Sequence, residues 1–527
     1  MNKIGFKNFR RFKDFPAIDL APITFLVGEN NAGKSTVVKG ILALTDYFKS
    51  SRESILYVDK NLSGKTNKKE KKKLVNLLKN QEFNFNTNYL THIGTFKRAL
   101  YNKAENEIIT FNTKLGPQDL TIEILGDRNR EESVGGKIIN IVLDIKPLGF
   151  QAKFDLQSNT AYGKFYPILN ITEKNLYFIH PRNRKKALNF LKSISKEYVF
   201  EYKITNYWKK YTPDLLGALL DTVEIAISAT MEFEKTKVHI GDFLIEKLQP
   251  LDDFCDDDIN FLKQYTLTIC QNSKDEEWMF IFPMATRLMT RVLSRIEYLY
   301  AHAVTQTVIY NAKDTNDYLS KTVNEFASLS KAENDYRDEF IKKWMKEFNI
   351  GSDYDIHSVG GEAHIVKIKN EDGSEVNLAD KGMGSIQLMV LLFRLAITLP
   401  KNQLREDFEY DVQKGMRRII IIEEPEQNLH PMLQSKLADL LFTINKEYGY
   451  KFIIETHSEY LIRKTQVIVS EMKLTEEDLE QQNPFKVYYF PSEGIPYDMK
   501  YRIDGCFANE FGTGFFDEAS NLAFKLF

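Results

Sequence analysis

Only three cysteines occur in 527 residues, Cys255, Cys270 and Cys506, and no two share the spacing of a metal-binding pair. That excludes a disulfide scaffold and a thiolate metal centre, and reads as reduced thiols. Histidine is scarce too, at 8, and nowhere does the chain combine His and Asn at metal-ligand spacing. Formal net charge is −2, so no global field draws the chain onto nucleic acid, and any DNA contact would have to come through local basic patches. No apolar run reaches the roughly 20 residues that span a bilayer. The nearest, Leu388 to Leu399, is short and carries Arg394. The N-terminal MNKIGFKNFRRF has no apolar core of a signal peptide. These absences predict a cytoplasmic protein with no membrane partner. A sustained a/d heptad is also missing, which excludes a long coiled-coil arm, and there is no internal repeat or low-complexity tract.

What is present is a chain long enough for two or more domains, with 43% hydrophobic and 27% charged residues, as in soluble globular proteins. Its organising stretch is ITFLVGENNAGKST, from Ile23 to Thr36. Gly28, Glu29, Asn30, Asn31, Ala32, Gly33, Lys34 and Ser35 fit the phosphate-loop pattern of Gly, four residues, then Gly-Lys-Ser/Thr. The apolar run Ile23 to Val27 predicts a strand before it. Val37, Val38, Ile41, Leu42 and Leu44 predict a helix after it. A turn of this kind aims backbone N–H groups and the positive end of a helix at one point, which suits polyphosphate. Lys34 would reach the β- and γ-phosphates and the Ser35 hydroxyl would ligate Mg²⁺.

Three later stretches extend the site. RIIIIEEPEQNLHP, Arg418 to Pro431, reads as a buried parallel strand with two acids at its C-terminal end, where ligands of α/β sheets bind. Glu423 would hold Mg²⁺, directly or through water, and Glu424 would act as general base on the attacking water. KFIIETHSEYL places His457 at the end of a further strand, where it could meet the γ-phosphate or the lytic water. LADKGMGSIQLMVLLFRLA supplies a second glycine turn at a helix N-terminus, with Gly382, Gly384 and Ser385. One chain has no obvious use for two phosphate cradles. Two chains packed head to tail do, each cradle completing its partner's site.

The intervening sequence divides the chain. Residues Lys3 to Leu20 alternate like strands, and LTIEIL, KIINIVLDI and QAKFDL predict an antiparallel layer. SGKTNKKEKKK reads as a solvated basic loop, with a DNA-facing patch as the minority alternative. From Thr212 to Asn349 the period becomes helical. Inside that stretch Asp252, Asp253, Asp256, Asp257 and Asp258 form an acidic cluster, a helix-capping loop in the plainer reading and a divalent-metal site in the sharper one. The expected organisation is residues 1–211 as the N-terminal part of a nucleotide-binding head, 212–349 as a helical insertion, 350–490 as the C-terminal part of the head, and 491–527 as a tail able to dock a partner.

In this order the motifs resemble those of the ABC-class ATPase head. Gly28 to Thr36 matches the Walker A motif, Lys381 to Gln387 takes the place of the signature motif, and Ile419 to Glu424 matches Walker B. Glu426 to Pro431 resembles the D-loop, and His457 the switch histidine. The resemblance implies an α/β fold: a phosphate-loop mixed sheet with flanking helices, an antiparallel β layer and a helical insertion. It further implies ATP with Mg²⁺, and a dimer or higher homo-oligomer closing around nucleotide. The signature turn departs from the transporter spelling LSGGQ; Ser385 is the first choice for the γ-phosphate contact and Lys381 the second. Gln81 and His92 are candidates for the glutamine-loop contact. Glu423 in place of the usual Asp, and the run Glu424 to Pro431, resemble the overcoming-lysogenisation-defect type ATPases of bacterial defence. No paired acidic nuclease motif follows His457, so the nearest resemblance is to Septu-type defence ATPases, including retron-associated forms. It implies antiphage defence with an HNH-type nuclease partner and, in the retron forms, a reverse transcriptase with its RNA–DNA product. A RecF-like repair ATPase, a transporter ATPase and a stand-alone nuclease using the acidic cluster are the competing readings.

Overall fold

The computed structural model describes residues 1–62, 82–86, 92–115, 118–145, 150–155, 157–158, 160–165, 185, 189, 198–203, 296–299, 307–311, 318–329, 335–399, 418–512 and 515–525. The acidic cluster, Gln81, the basic stretch 63–73 and residues 212–295 of the expected insertion lie outside them. In chain order the first half carries β1 (Lys3–Phe9), β2 (Phe12–Asp19), β3 (Ile23–Gly28), α1 (Lys34–Leu62), β4 (Glu82–Asn84), α2 (Phe96–Ala99), β5 (Ile108–Leu115), β6 (Gln118–Leu125), β7 (Gly135–Ile145), β8 (Phe150–Asp155), β9 (Thr160–Phe165) and β10 (Tyr198–Lys203). The second half carries β11 (Ile296–Leu299), β12 (Tyr310–Asn311), α3 (Tyr318–Ala327), α4 (Asp335–Glu347), β13 (Asp353–Val359), β14 (Ala363–Lys369), β15 (Glu375–Asn377), α5 (Met383–Thr398), β16 (Ile419–Glu423), α6 (Pro431–Tyr448), β17 (Lys451–Glu455), α7 (Glu459–Met472), α8 (Glu476–Gln482), β18 (Phe485–Phe490), β19 (Tyr497–Asp498) and α9 (Glu518–Phe524).

The chain forms two compact units, one of residues 1–19 and 36–294, the other of residues 20–35 and 295–527. The first holds the antiparallel layer: nine strands ordered β10-β9-β8-β7-β6-β5-β1-β2, with β4 also on β7. Its period-two pattern is visible in Leu120, Ile122 and Ile124, all buried, against the polar residues between them. Phenylalanines fill its core. Phe6 stacks on Phe15 with centroids 4.5 Å apart, and Phe111 meets Phe9 at 5.1 Å and Phe83 at 5.5 Å. Burying each such ring contributes roughly 1.5–3 kcal/mol. The apolar residues of α1 anticipated from spacing, Val37, Val38, Ile41, Leu42 and Leu44, are all buried.

The second unit is built on a six-stranded sheet ordered β11-β16-β17-β3-β18-β19, parallel except for β19. Strands hidden on both faces need continuous apolar sequence, and IIII in β16 and ITFLV in β3 supply it. A smaller antiparallel sheet of β12, β14, β13 and β15 belongs to the same unit. The mixed α/β class with an antiparallel layer is thus as expected.

Two stretches outside the expected head make contacts of their own. Residues from 296 onward, read as the end of a helical insertion, begin with a strand paired to β16. Leu319, Val323 and Phe326 of α3 and Ile341, Trp344 and Met345 of α4 join the core of the second unit with Leu392 and Phe393 of α5. Helical periodicity reports a buried face; it does not say which neighbour covers it. Residues 491–512 and 515–516 also carry contacts. β19 pairs with β18, and Tyr497, Tyr501, Phe507, Phe511, Phe515 and Phe516 pack on the same core, with Arg463 over the Phe516 ring at 5.3 Å.

Candidate nucleotide site

β3 lies between β17 and β18 and ends at Gly28. The φ of Gly28 is +134°, and a side chain there would collide with the carbonyl of Phe490, so only glycine fits. The same carbonyl accepts the Glu29 N–H at 3.2 Å, and the Ser492 N–H donates to the Glu29 carboxylate at 3.2 Å. Asn31 and Gly33 also have positive φ, 57° and 105°, the coiled backbone that gathers amide N–H groups into an anion-binding concavity. Glu29, Asn30, Asn31 and Ser35 are exposed at the surface of the loop, while Ala32, Gly33, Lys34 and Thr36 are buried. Lys34, only 3% exposed, donates to the carbonyls of Gly28 at 3.0 Å and Glu29 at 2.8 Å. Burial pushes its ammonium below the ordinary lysine range, opposed by Glu455, Glu424, Glu426 and Glu29. An ammonium has three N–H donors, so this one keeps a donor for a ligand. The residues fit a nucleotide phosphate.

Carboxylates gather at the ends of the neighbouring strands. Glu423, the last residue of β16, is the register partner of Glu455, the last residue of β17. Ser35 donates its hydroxyl to Glu455 Oε1 at 2.8 Å. Glu424 has φ +44°, a strained backbone for a non-glycine residue that clusters at functional sites. Three bonds hold it there. Its N–H donates to the Glu455 carbonyl at 2.7 Å, its carbonyl accepts from Gln387 Nε2 at 3.4 Å, and its carboxylate accepts from Gln427 Nε2. Glu426 is buried and takes the backbone N–H of His457 at 2.7 Å; burial pushes its carboxyl up, and that hydrogen bond pulls it back. The His457 side chain is exposed, with its pKa lowered by desolvation and by Lys34 and raised by Glu424. Ser458 caps α7 by accepting from the Leu461 N–H, and donates to Gln434 at 2.6 Å.

Glu455 is the residue that sequence reasoning passed over, although it ends an apolar strand just as Glu423 does. Burial pushes its carboxyl up to about 7, the Ser35 bond pulls it down, and Glu423 pushes it further up. The folded chain therefore holds a proton that the unfolded chain gives up as pH rises from 4.5 toward 7, so this group's contribution to stability is present at low pH and lost across that window. Glu455→Gln should stabilise the nucleotide-free protein at pH 8 by up to about 3 kcal/mol and hardly at all near pH 4.5. Thermal melts at both pH values check this, and an equal shift at the two would show that folding does not raise the Glu455 carboxyl.

The second glycine turn opens α5. Gly382 is the N-cap without a side-chain cap. Gly384 lies so close to the following loop that a Cβ would stand 2.5 Å from the Asn428 carbonyl. Ser385 is partly exposed, its N–H donating to the Gly382 carbonyl at 2.9 Å. Lys381 donates to Asn370 Oδ1 at 2.7 Å, so the second-choice residue of this turn is engaged on the β14–β15 hairpin. Gln387 and Asn428 also join the turn to the Glu424 loop. His92, one glutamine-loop candidate, sits in the first unit, exposed and bridged to Asn86. Among the described residues no three His, Cys, Asp or Glu side chains form a ready metal cage, and no helix is long and apolar enough to cross a membrane. Mg²⁺ fits such a site, because it takes one or two carboxylates together with substrate phosphates and water.

The profile of the family described as AAA ATPase domain matches residues 1–462. No curated protein matches the chain. Among solved structures, the chain is similar to the Smc head domain with an extended coiled coil bound to the C-terminal domain of ScpA from Pyrococcus furiosus, at 11% identity and TM-score 0.31 over 100% of this chain and 98% of that one. The SMC head domain from Thermotoga maritima is similar at 8% identity and TM-score 0.30, over 95% and 98%.

Proposed function

The chain belongs to the AAA ATPase domain family, and from that membership we propose that it is an ABC-type head that binds ATP with Mg²⁺, hydrolyses it, and through nucleotide-driven pairing of two heads controls a separately encoded nuclease in antiphage defence. The observation that carries the reading is the Ser35–Glu455 bond, which ties the phosphate loop to the strand bordering Glu423 and Glu424. In this reading the loop amides and Lys34 hold the β- and γ-phosphates, and Ser35 and Glu423 hold Mg²⁺. Bound there, Mg²⁺ would offset negative charge on the phosphate oxygens. Glu424 takes the proton of the attacking water as the bond from the γ-phosphorus to ADP breaks. His457, its backbone fixed by Glu426, stands ready to contact the γ-phosphate. Lys381, Gly384 and Ser385 serve the site of a second copy, with Ser385 the foremost of them.

The defence assignment rests on the spelling Glu423-Glu424-Pro425-Glu426 followed by Leu429-His430-Pro431, which resembles the defence ATPases. The purified chain is expected to release phosphate from ATP in the presence of Mg²⁺ while leaving DNA and RNA intact, with cleavage appearing only when an HNH-type partner is added. The exposed Leu522 and Phe524 of α9 and the residues between 212 and 295 are the candidate docking regions. Cleavage by this chain alone, lost with Asp256 and Asp257 but not with Glu424, would replace this reading with a self-contained nuclease.

A further inference from the structure

We propose that Glu455 is a positioning residue for Mg²⁺: it accepts a hydrogen bond from the Ser35 hydroxyl, leaving an oxygen lone pair of Ser35 for the cation, and offers its second oxygen to a metal-bound water. The proposal rests on the ATPase reading above and adds to it a carboxylate that neither motif contains.

The geometry is specific. A serine hydroxyl has one hydrogen and two lone pairs. It binds a cation through a lone pair only if its hydrogen is directed elsewhere, and the Ser35 hydrogen is directed at Glu455 Oε1, 2.8 Å away. Glu455 is 6% exposed, and its Oε2 has no hydrogen-bond partner among the described residues. A carboxyl oxygen left bare at that depth is costly to fold, and a hydrated cation bound at Ser35 would give it a partner. The residue is also fixed at both ends. Its place beside Glu423 is set by the β16–β17 register, and its own carbonyl holds the Glu424 N–H at 2.7 Å. Lys34, the nearest cation of the loop, donates instead to the Gly28 and Glu29 carbonyls. Mg²⁺ keeps several of its waters in protein sites, so an acceptor just beyond the direct ligands suits it. Outer-shell partners of this kind typically change metal affinity about 10–100-fold.

The test measures ATP binding by calorimetry, first in EDTA and then across a MgCl₂ titration, for the full chain and for Glu455→Gln, Glu455→Ala, Ser35→Ala and the Ser35→Ala/Glu455→Ala pair. ATP affinity of the two single Glu455 variants in EDTA should stay within about threefold of the unaltered chain. The Mg²⁺ concentration that half-restores tight binding should rise about 10–100-fold in Glu455→Ala, and less in Glu455→Gln, whose amide oxygen still accepts the Ser35 hydrogen. On the Ser35→Ala background, removing Glu455 should cost less than it does in the unaltered chain, because part of its effect runs through the Ser35 hydroxyl. An unchanged Mg²⁺ requirement in both Glu455 variants would overturn the proposal. So would an equal loss of ATP affinity with and without Mg²⁺, or full additivity with Ser35→Ala. If Glu455→Ala does not fold, Glu455→Gln decides alone. Absence of ATP binding by the unaltered chain would instead sink the ATPase reading, and this proposal with it.

Discussion

Lys34→Ala should strongly weaken nucleotide binding. The ammonium is the one buried cation of the loop, with two of its donors on the loop's own carbonyls. A charge-assisted bond to phosphate contributes about 1.5–3 kcal/mol. Losing the one its remaining donor can form weakens binding roughly 10–10²-fold, at about 1.4 kcal/mol per decade. The substitution also strands the Gly28 and Glu29 carbonyls, so the melting temperature must be read beside the calorimetric titration. A chain that melts normally and binds ATP as before would reject residues 28–36 as the phosphate site.

Glu424→Gln separates binding from chemistry. Glutamine keeps the size of the side chain and an acceptor for the Gln427 amide, and the strained backbone at 424 is held by main-chain bonds that the substitution leaves alone. What disappears is the proton acceptor, a loss that typically costs about 10²–10⁴-fold in rate. ATP binding should persist, turnover should nearly stop, and the paired form should accumulate with ATP in size-exclusion chromatography. If Glu423→Gln produces that trapped state and Glu424→Gln does not, the roles of the two acids are reversed.

Much of this was legible because the signals are local. The phosphate loop announces itself within nine residues, and IIIIEE carries both its burial and its acids in six. The antiparallel layer is legible because alternation repeats along each strand. β11 was not. Four residues, IEYL, acquire their meaning only by pairing with β16 more than a hundred residues later. The helices α3 and α4 were recognised as helices, but amphipathicity does not say whose core they complete. Glu455 carries no such local signal, because the serine it meets lies 420 positions away.

That separation has a consequence for how the molecule comes into being. β3 is hydrogen-bonded on one side to β17 and on the other to β18, and the Glu29 carboxylate is met by an amide 463 residues further on. On the ribosome, then, the phosphate loop emerges long before its flanking strands β17 and β18 exist. Closing so long a loop, with parallel pairing on both sides, places this event late in folding. A chain interrupted before residue 485 lacks one wall of the loop. Abortive synthesis or proteolysis would release fragments bearing the most recognisable motif in the sequence without the sheet that shapes it, and the capacity to take up nucleotide would serve as a check that translation has passed β18.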